Sequence, residues 1–316
     1  MLFLKTCRAL EGLEASRRIA TVVIVAFVAI LIAAGCRPEK PPVGKPPVVV
    51  TAGDIAVCAR EGDEATAKLV EGIDDATVLT LGDNAYPEGS AEDFEECYEP
   101  TWGQFKNRTK PVPGNHEYYT EGAKGYFEYF GEAAGDPEEG YYAYELGSWH
   151  IVALNSNCGE AQIRCSPSST QVRWLEEDLA ANADEEGGCT LAYMHHPRFS
   201  SGEEHGSYET VEPMWEALYE AGAEVVLSGH EHNYERFAPQ DPSGKADPQR
   251  GIRQFVVGTG GGASDYPILE PLANSEVQND ESYGVLKLTL RPKGYEWRFL
   301  SAEGGEFTDS GSARCH

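Results

Sequence analysis

Five short motifs concentrate metal-ligand side chains in one chain order: Gly53-Asp54-Ile55-Ala56, Gly82-Asp83-Asn84-Ala85-Tyr86, Gly114-Asn115-His116-Glu117, Met194-His195-His196 and Gly229-His230-Glu231-His232. Between them they supply nearly every donor type that a two-metal hydrolase needs. Two cations about 3.5–4 Å apart can clamp the attacking and the leaving oxygen of an in-line displacement at phosphorus, and they acidify bound water enough to supply hydroxide near neutral pH. Such a pair needs one carboxylate able to bridge both ions, with terminal ligands on each side. Asp83 is the natural bridge, with Asp54 beside it. His230 and His232 alternate on an extended segment, and Asn115 and His195 arrive from other parts of the chain. Neutral imidazole suits zinc or iron, and carboxylate oxygen suits harder cations. A lone Asp after a strand is more often a turn or cap residue; the reading rests on the combination.

Elements that could position these groups are visible around them. Val48-Val49-Val50, Val78-Leu79-Thr80-Leu81, Leu191-Ala192-Tyr193 and Val225-Val226-Leu227 each precede a motif, and the weaker Lys110-Pro111-Val112-Pro113 precedes the third. Apolar runs of this length bounded by Gly and Asp read as buried strands. Ligands of an open α/β sheet collect outside the carboxyl ends of its strands, so five such ends point at one crevice. Helical patterns lie between them. Asp63 reads as the cap of a helix over Ala65–Val70, Val172, Leu175 and Leu179 share a face after Ser169, and a third helix spans Val211–Ala221 with Gly222 ending it. Helices leading into strands imply βαβ units. Past Gly258-Thr259-Gly260-Gly261 the pattern changes. Leu286, Leu288 and Leu290 alternate with polar residues, Arg291–Gly294 turns, and Tyr295, Trp297 and Phe299 alternate on the way back. That is an antiparallel hairpin, so the sheets are mixed. Gly258–Gly261 lacks the Lys-Ser/Thr continuation of a phosphate loop and reads as a tight turn near the site. No internal repeat or second domain boundary is visible.

The chain of 316 residues, with 41% hydrophobic residues, 16 Tyr and 11 Phe, has the means to build a large core. Its net charge is −27. The first forty residues hold six basic and three acidic side chains; of the chain's 25 basic and 52 acidic residues that leaves 19 against 49, a balance of −30. A surface of this sign repels polyanions, so no nucleic-acid partner is expected. Arg17-Arg18 precede an apolar stretch from Ile19 to Ala34, too short for the roughly 20 residues of a spanning helix and suited to an export signal. Its end, Ile32-Ala33-Ala34-Gly35-Cys36, resembles a bacterial lipoprotein signal in which the Cys is lipidated; an uncleaved signal anchor is the alternative. Residues 1–36 are therefore expected to be a lipoprotein-type signal, and the Pro-rich 37–47 a tether to the membrane. Localisation follows as exported, extracytoplasmic and lipid-anchored to the bacterial cell membrane. Beyond Cys7 and Cys36 six cysteines remain, an even number that implies disulfides in an exported protein; no CxxC supports a zinc cluster. Of the 15 pairings that six cysteines allow, Cys158–Cys165 is locally the easiest, and Cys58–Cys97 with Cys189–Cys315 would complete one set.

The motifs in this order resemble the calcineurin-like metallophosphoesterase superfamily, and within it the purple acid phosphatases. The diagnostic addition is Tyr86, three residues after Asp83; Asn233-Tyr234-Glu235-Arg236 and Glu204-His205-Gly206 add to the likeness. The resemblance implies a single catalytic domain over 48–316, an α/β fold built as a four-layer α/β/β/α sandwich of two mixed sheets. It implies one metal held by Asp54, Tyr86 and His232, a second by Asn115, His195 and His230, and Asp83 bridging. It implies Fe(III) at the tyrosine, whose phenolate gives the colour, with Zn, Mn or Fe(II) beside it. His116 and His205 would be the catalytic acids or phosphate donors. His196 is an alternative ligand, but the family's His-x-Pro spacing favours His195 and leaves His196 to contact substrate or support the ligands. His150 reads as structural, His316 as uninformative, and Ala56 replaces a usual Gly. The expected function is a phosphatase hydrolysing phosphomonoesters by attack of hydroxide generated at the metal pair. The alternative is a phosphodiesterase or nucleotidase on the same pair. A non-catalytic, lipid-anchored binding protein with a relict site is a third reading, opposed by the full ligand set.

Overall fold

The computed structural model describes residues 44–183, 188–262, 266–302 and 305–316; the expected export signal and residues 37–43 of the expected tether lie outside them. From Lys45 on, the chain forms one unit. Val48–Ala52 (β1), Thr77–Leu81 (β2) and Thr109–Val112 (β3) are parallel neighbours, with helix Gly62–Glu71 (α1) connecting the first two. The expected hairpin is Gly284–Arg291 (β11) and Gly294–Ser301 (β12), with Leu288 opposite Trp297. β11 lies antiparallel on β1, and Ser310–Arg314 (β13) lies on β12, giving the order β13-β12-β11-β1-β2-β3.

A second sheet takes the middle of the chain. It comprises Tyr142–Leu146 (β4), Trp149–Ala153 (β5), Cys189–Tyr193 (β6), Val225–Ser228 (β7), Tyr234–Phe237 (β8), Arg253–Val257 (β9) and Ser275–Asn279 (β10). Their order is β10-β8-β9-β7-β6-β5-β4. Helix Lys124–Phe130 (α2) precedes this sheet; Thr170–Ala181 (α3) links β5 to β6 and Glu212–Glu220 (α4) links β6 to β7, each pair parallel. Both sheets are mixed: the late hairpin supplies the antiparallel strands of the first, and the β4–β5, β8–β9 and β8–β10 pairs those of the second.

Successive strand residues face opposite sides of a sheet, and the buried residues divide accordingly. Ile151, Leu191, Val225, Leu227 and Phe255 meet Leu79, Leu288 and Trp297 from the other sheet. Val152, Ala192 and Val226 instead pack on Val172, Leu175 and Leu179 of α3 and on Met214, Trp215 and Leu218 of α4. α1 lies against β11 with Ala67 and Val70 buried. The four-layer sandwich is therefore observed, built by period-two strands and helices apolar on one face. Among the described residues no helix is long and apolar enough to cross a membrane.

One local expectation is corrected. Asp63 does not cap α1, which begins at Gly62 after Glu61 without a side-chain cap. Asp63 is buried and accepts a hydrogen bond from Thr101 Oγ1 at 2.8 Å. Desolvation by burial, opposed by that hydrogen bond, pushes its carboxyl up to about 6. The adjacency of α1 to the segment around Thr101 overrides the local capping signal.

Three disulfides form: Cys58–Cys97, Cys158–Cys165 and Cys189–Cys315. The last joins β6 of one sheet to the residue after β13 of the other. Chain-entropy reasoning ranks them by the loop they close, about 2.5 kcal/mol for a loop of order 8 residues and about 5 kcal/mol for one of order 130. With sequence separations of 7 and 126, replacing Cys189 and Cys315 by Ser should lower stability by roughly 2 kcal/mol more than replacing Cys158 and Cys165. Denaturant midpoints of the two double variants measure this; equal losses would contradict it.

Candidate metal centre

The sequence-expected ligands sit at the carboxyl ends of five strands drawn from both sheets. Asp54 follows β1, Asp83 and Tyr86 follow β2, Asn115 and His116 follow β3, His195 follows β6, and His230 and His232 follow β7. The chain turns abruptly there. Asp54, Asp83 and His230 hold φ of 60°, 48° and 71°, a region that non-glycine residues rarely occupy and that marks strained functional positions. Two glycines are required by contact rather than by φ. A Cβ on Gly114 would overlap Asp83, and one on Gly258 would overlap the Glu231 carbonyl and crowd Asp54 Oδ2. The Gly258–Gly261 turn thus packs directly behind Asp54, where the sequence placed it near the site.

The donor atoms converge in two groups. Tyr86 Oη lies 3.1 Å from Asp54 Oδ1, 3.1 Å from Asp83 Oδ2 and 3.1 Å from His232 Nε2. His195 Nε2 lies 3.0 Å from Asn115 Oδ1, 3.1 Å from His230 Nδ1 and 3.4 Å from Asp83 Oδ2. Asp83 Oδ2 touches both groups, the position a bridging carboxylate needs. Its other oxygen accepts the His116 backbone N–H at 2.9 Å, and Asp54 Oδ2 accepts that of His230 at 2.8 Å.

Proton counting tests whether a cation fits. His195 Nδ1 donates to the Leu81 carbonyl at 2.8 Å, so in the neutral ring Nε2 carries a lone pair. That lone pair faces an amide oxygen, a carboxylate oxygen and another imidazole nitrogen. A proton on His195, the Nδ1–H tautomer of His230 or a metal ion can each satisfy that lone pair. Burial opposes protonation of His195, but the Asp83 carboxylate outweighs it and holds the imidazole up at about 9. Burial would likewise raise Asp83, yet His195, His116 and His230 hold it well below the usual carboxylate range. Around Tyr86 one phenol proton faces two carboxylate oxygens and His232 Nε2, and His232 Nδ1 and His230 Nε2 are buried without a partner among the described residues. Burial, with Asp83 and Asp54 adding to it, pushes the Tyr86 phenol far above its ordinary range. The donor sets Asp54–Asp83–His195 and His195–His196–His230 each lie within 4.8 Å. The residues fit two cations.

His116 Nδ1 donates to the Pro87 carbonyl at 2.6 Å, leaving Nε2 on the side of Asp83 Oδ2, 3.8 Å away. His205 is exposed and its ring stacks on His230 at 4.1 Å. His196, ambiguous in sequence, is buried behind the centre: Ser156 Oγ is 2.9 Å from its Nδ1, and Tyr208 covers its ring at 4.3 Å. Burial, with His195 adding to it, keeps its charge well suppressed. His150 stands apart between Glu145 and Asp178, at 2.7 and 2.6 Å. Cys189, Glu224 and Cys315 also cluster, but the two sulfurs are bonded to each other. A cavity of about 650 Å³ between α3 and α4 holds none of the ligands.

Sequence reading passed over three contributors. Glu117, fully buried, accepts N–H bonds from Gly114 at 2.6 Å, Asn84 at 2.8 Å and Asp83 at 2.9 Å. Burial and the Asp83 charge push it up to about 7 against those donors. Tyr208 and Tyr266 face the imidazoles, Tyr266 parallel to His232 at 4.2 Å. The Glu in Gly-Asn-His-Glu was a usable signal; nothing local marks the two tyrosines.

Comparison with known proteins agrees with this geometry. The family model described as calcineurin-like phosphoesterase matches residues 47–234, more than half of the chain. Purple acid phosphatase 15 of Arabidopsis thaliana is 30% identical over 234 residues, 63% of this chain and 42% of that protein. Probable purple acid phosphatase 20 of the same plant is 28% identical over 235 residues, 66% and 51% of the two chains. The chain thus spans about half the length of these relatives. The structure of purple acid phosphatase PPD1 from yellow lupin (Lupinus luteus) seeds superposes with a TM-score of 0.66 over 87% of this chain and 55% of that one; at 18% identity this shows the shared fold.

Metal uptake should expel the His195 proton. With the imidazole at about 9 in the metal-free protein, binding at pH 7–8 should release about one proton from this group, and affinity should rise with pH until about 9. A pKa raised from 6.5 to about 9 stabilises the metal-free fold fully below pH 6.5, and the benefit fades as pH rises through 9. Calorimetric titration in buffers of different ionisation enthalpy reads the proton directly; identical heats in all buffers would contradict this protonation state.

Proposed function

The chain belongs to the calcineurin-like phosphoesterase family, and on that premise we propose that it is a phosphomonoesterase working outside the cytoplasm on a binuclear metal centre. That family uses such a centre. The observation that carries the reading is Tyr86 Oη within 3.1 Å of Asp54, Asp83 and His232. A phenol that holds its proton so firmly yields it to a strongly polarising cation, because a bound ion inverts the local preference for the neutral form. Asp54, Tyr86 and His232 would hold Fe(III), Asn115, His195 and His230 would hold Zn, Mn or Fe(II), and Asp83 would bridge. When bound, the pair supplies a nucleophile from water at neutral pH and charge stabilisation at phosphorus.

The protein's own groups supply orientation and protons. Asn115 and His116 are half-buried and His205 is exposed, whereas the remaining ligands are buried. Substrate therefore meets the centre on their side. The Pro87 carbonyl holds the His116 Nδ1 proton and so directs Nε2 into the crevice, placed to give a proton to the leaving oxygen. His205 is drawn below its usual range by burial, with Asp54 opposing and His232 assisting. It therefore takes up a proton only in more acidic solution, which suits a second acid at low pH.

Three disulfides support an oxidising, extracytoplasmic setting. The expected signal over 1–36 and tether over 37–47 would place the domain on a lipid at Cys36. Mass analysis of the membrane-associated protein, against a Cys36→Ser variant released to the medium, tests that placement.

Purified protein should release phosphate from p-nitrophenyl phosphate and act poorly on bis(p-nitrophenyl) phosphate; the reverse ranking would favour the phosphodiesterase reading. His116→Ala should lower kcat by about 10²–10⁴ with both metals retained. Unchanged phosphate release in that variant would sink the mechanism. The iron-loaded protein should absorb in the visible, and Tyr86→Phe should abolish the band; full activity in a colourless protein would remove the Fe(III)–Tyr86 assignment.

A further inference from the structure

We propose that Glu231, the residue between the two ligand histidines, is a positioning residue whose carboxylate grips the loop bearing His205 and holds that imidazole over the metal centre. The inference rests on the phosphoesterase reading above and assigns a role to a side chain which that reading leaves unused. On an extended segment successive side chains point to opposite sides. His230 and His232 turn toward the metal ligands, and Glu231 turns into the protein, where it is fully buried. A carboxylate is retained at such a place only with donors directed at it. Here one oxygen accepts two consecutive backbone N–H groups, from His205 at 2.6 Å and from Gly206 at 2.5 Å. The loop closes tightly around it, since a Cβ on Gly202 would overlap the Glu231 carboxyl group.

The grip ends at the reacting groups. With its backbone held, His205 lays its ring on His230 at 4.1 Å and 25° while its own side chain stays exposed. A second buried glutamate, Glu235, anchors the start of the same loop by accepting the Ser201 N–H at 2.8 Å and the Ser201 hydroxyl. Ser201 Oγ in turn accepts the Leu272 N–H at 2.8 Å, and Glu203 N–H donates to Pro267 O at 3.2 Å. Those two bonds join the loop to the segment carrying Tyr266. Glu231 therefore links the identity of the metal-binding turn to the placement of an acid 26 positions earlier in sequence. A glutamate that only filled space would show none of this coupling.

Four variants and two readouts test the role in the metal-loaded, full-length protein. Glu231→Ala should lower kcat by about 10²-fold, the scale of a displaced catalytic group, on an alkyl monoester such as glycerol phosphate. The loss should be smaller on p-nitrophenyl phosphate, whose leaving group needs less protonation, with KM and metal content little changed. Glu231→Gln, which keeps an acceptor oxygen, should recover most of the loss. Glu231→Ala combined with His205→Ala should be no worse than His205→Ala alone. Independently of turnover, deuterium exchange of the 200–208 peptide should accelerate in Glu231→Ala and return toward wild type in Glu231→Gln. Unchanged exchange, multiplicative losses in the double variant, or an equal loss on both esters accompanied by lost metal would each overturn the proposal. A wild-type protein that hydrolyses neither ester would defeat the phosphoesterase reading instead, and the exchange comparison would still decide the clamp.

Discussion

Electron-pair donors crowded together away from water, with too few protons to go between them, constrain nearly everything else in this molecule. Asp54, Asp83 and His195 are buried within one small volume, and His195 Nε2 faces Asp83 Oδ2, Asn115 Oδ1 and His230 Nδ1. Burying charge without compensation costs several kcal/mol per group. The metal-free protein answers with a proton on His195, held by the neighbouring Asp83 carboxylate. That proton compensates one donor group; the Tyr86 phenol and the unpaired ring nitrogens of His230 and His232 remain. Two cations resolve the whole set. The fold pays in advance, with strained φ at Asp54, Asp83 and His230 and glycines where no Cβ fits.

Holding such groups in place against their repulsion falls to the main chain rather than to opposing side-chain charges. Glu117 collects N–H groups from both the β2 and β3 turns, so the segments bearing Asp83 and Asn115 are fixed to one carboxylate. Glu231 does the same between the turn after β7 and the loop at His205. Each stands beside the clustered histidines, yet Glu117 turns both oxygens, and Glu231 one, to backbone N–H groups. Charge-assisted bonds to N–H groups contribute roughly twice what neutral ones do, and they fix backbone without adding a long, flexible partner. The price in desolvation shows at Glu117, whose carboxyl is pushed up to about 7.

What was legible in the sequence follows from how local each signal is. The runs Val48–Val50, Val78–Leu81, Leu191–Tyr193 and Val225–Leu227 announce strands because alternation and burial act over a few residues, and the ligand types follow immediately after each run. The hairpin around Arg291–Gly294 was equally plain, and its antiparallel strands make the first sheet mixed. The layer count came only from family likeness, since period-two strands do not say what covers each face. Long-range contacts were opaque. Asp63 looks like a cap until Thr101, far along the chain, becomes its partner. Glu231 and Glu235 look like surface charges in an acidic chain, because nothing near them in sequence reveals the loop at Ser201–Gly206 whose N–H groups they accept. Tyr208 and Tyr266 are ordinary aromatics until the fold lays them on imidazoles.

The same contrast separates the surroundings of His195 and His196, adjacent residues of one type. Alternation at the end of β6 sends the two rings in different directions. His195 donates its Nδ1 proton to Leu81 O, a carbonyl of the neighbouring sheet, and that bond turns Nε2 toward Asp83 and Asn115. His196 finds Ser156 and Tyr208 instead, and its imidazole, buried and repelled by His195, stays neutral behind the centre. A ligand is thus selected less by being a histidine than by having its second nitrogen occupied, which fixes the tautomer and aims the free lone pair. Leu81 belongs to the strand that delivers Asp83, so the bridge and the terminal ligand are set by one piece of backbone. Docking of β2 against β6 therefore brings Asp83 and His195 into register.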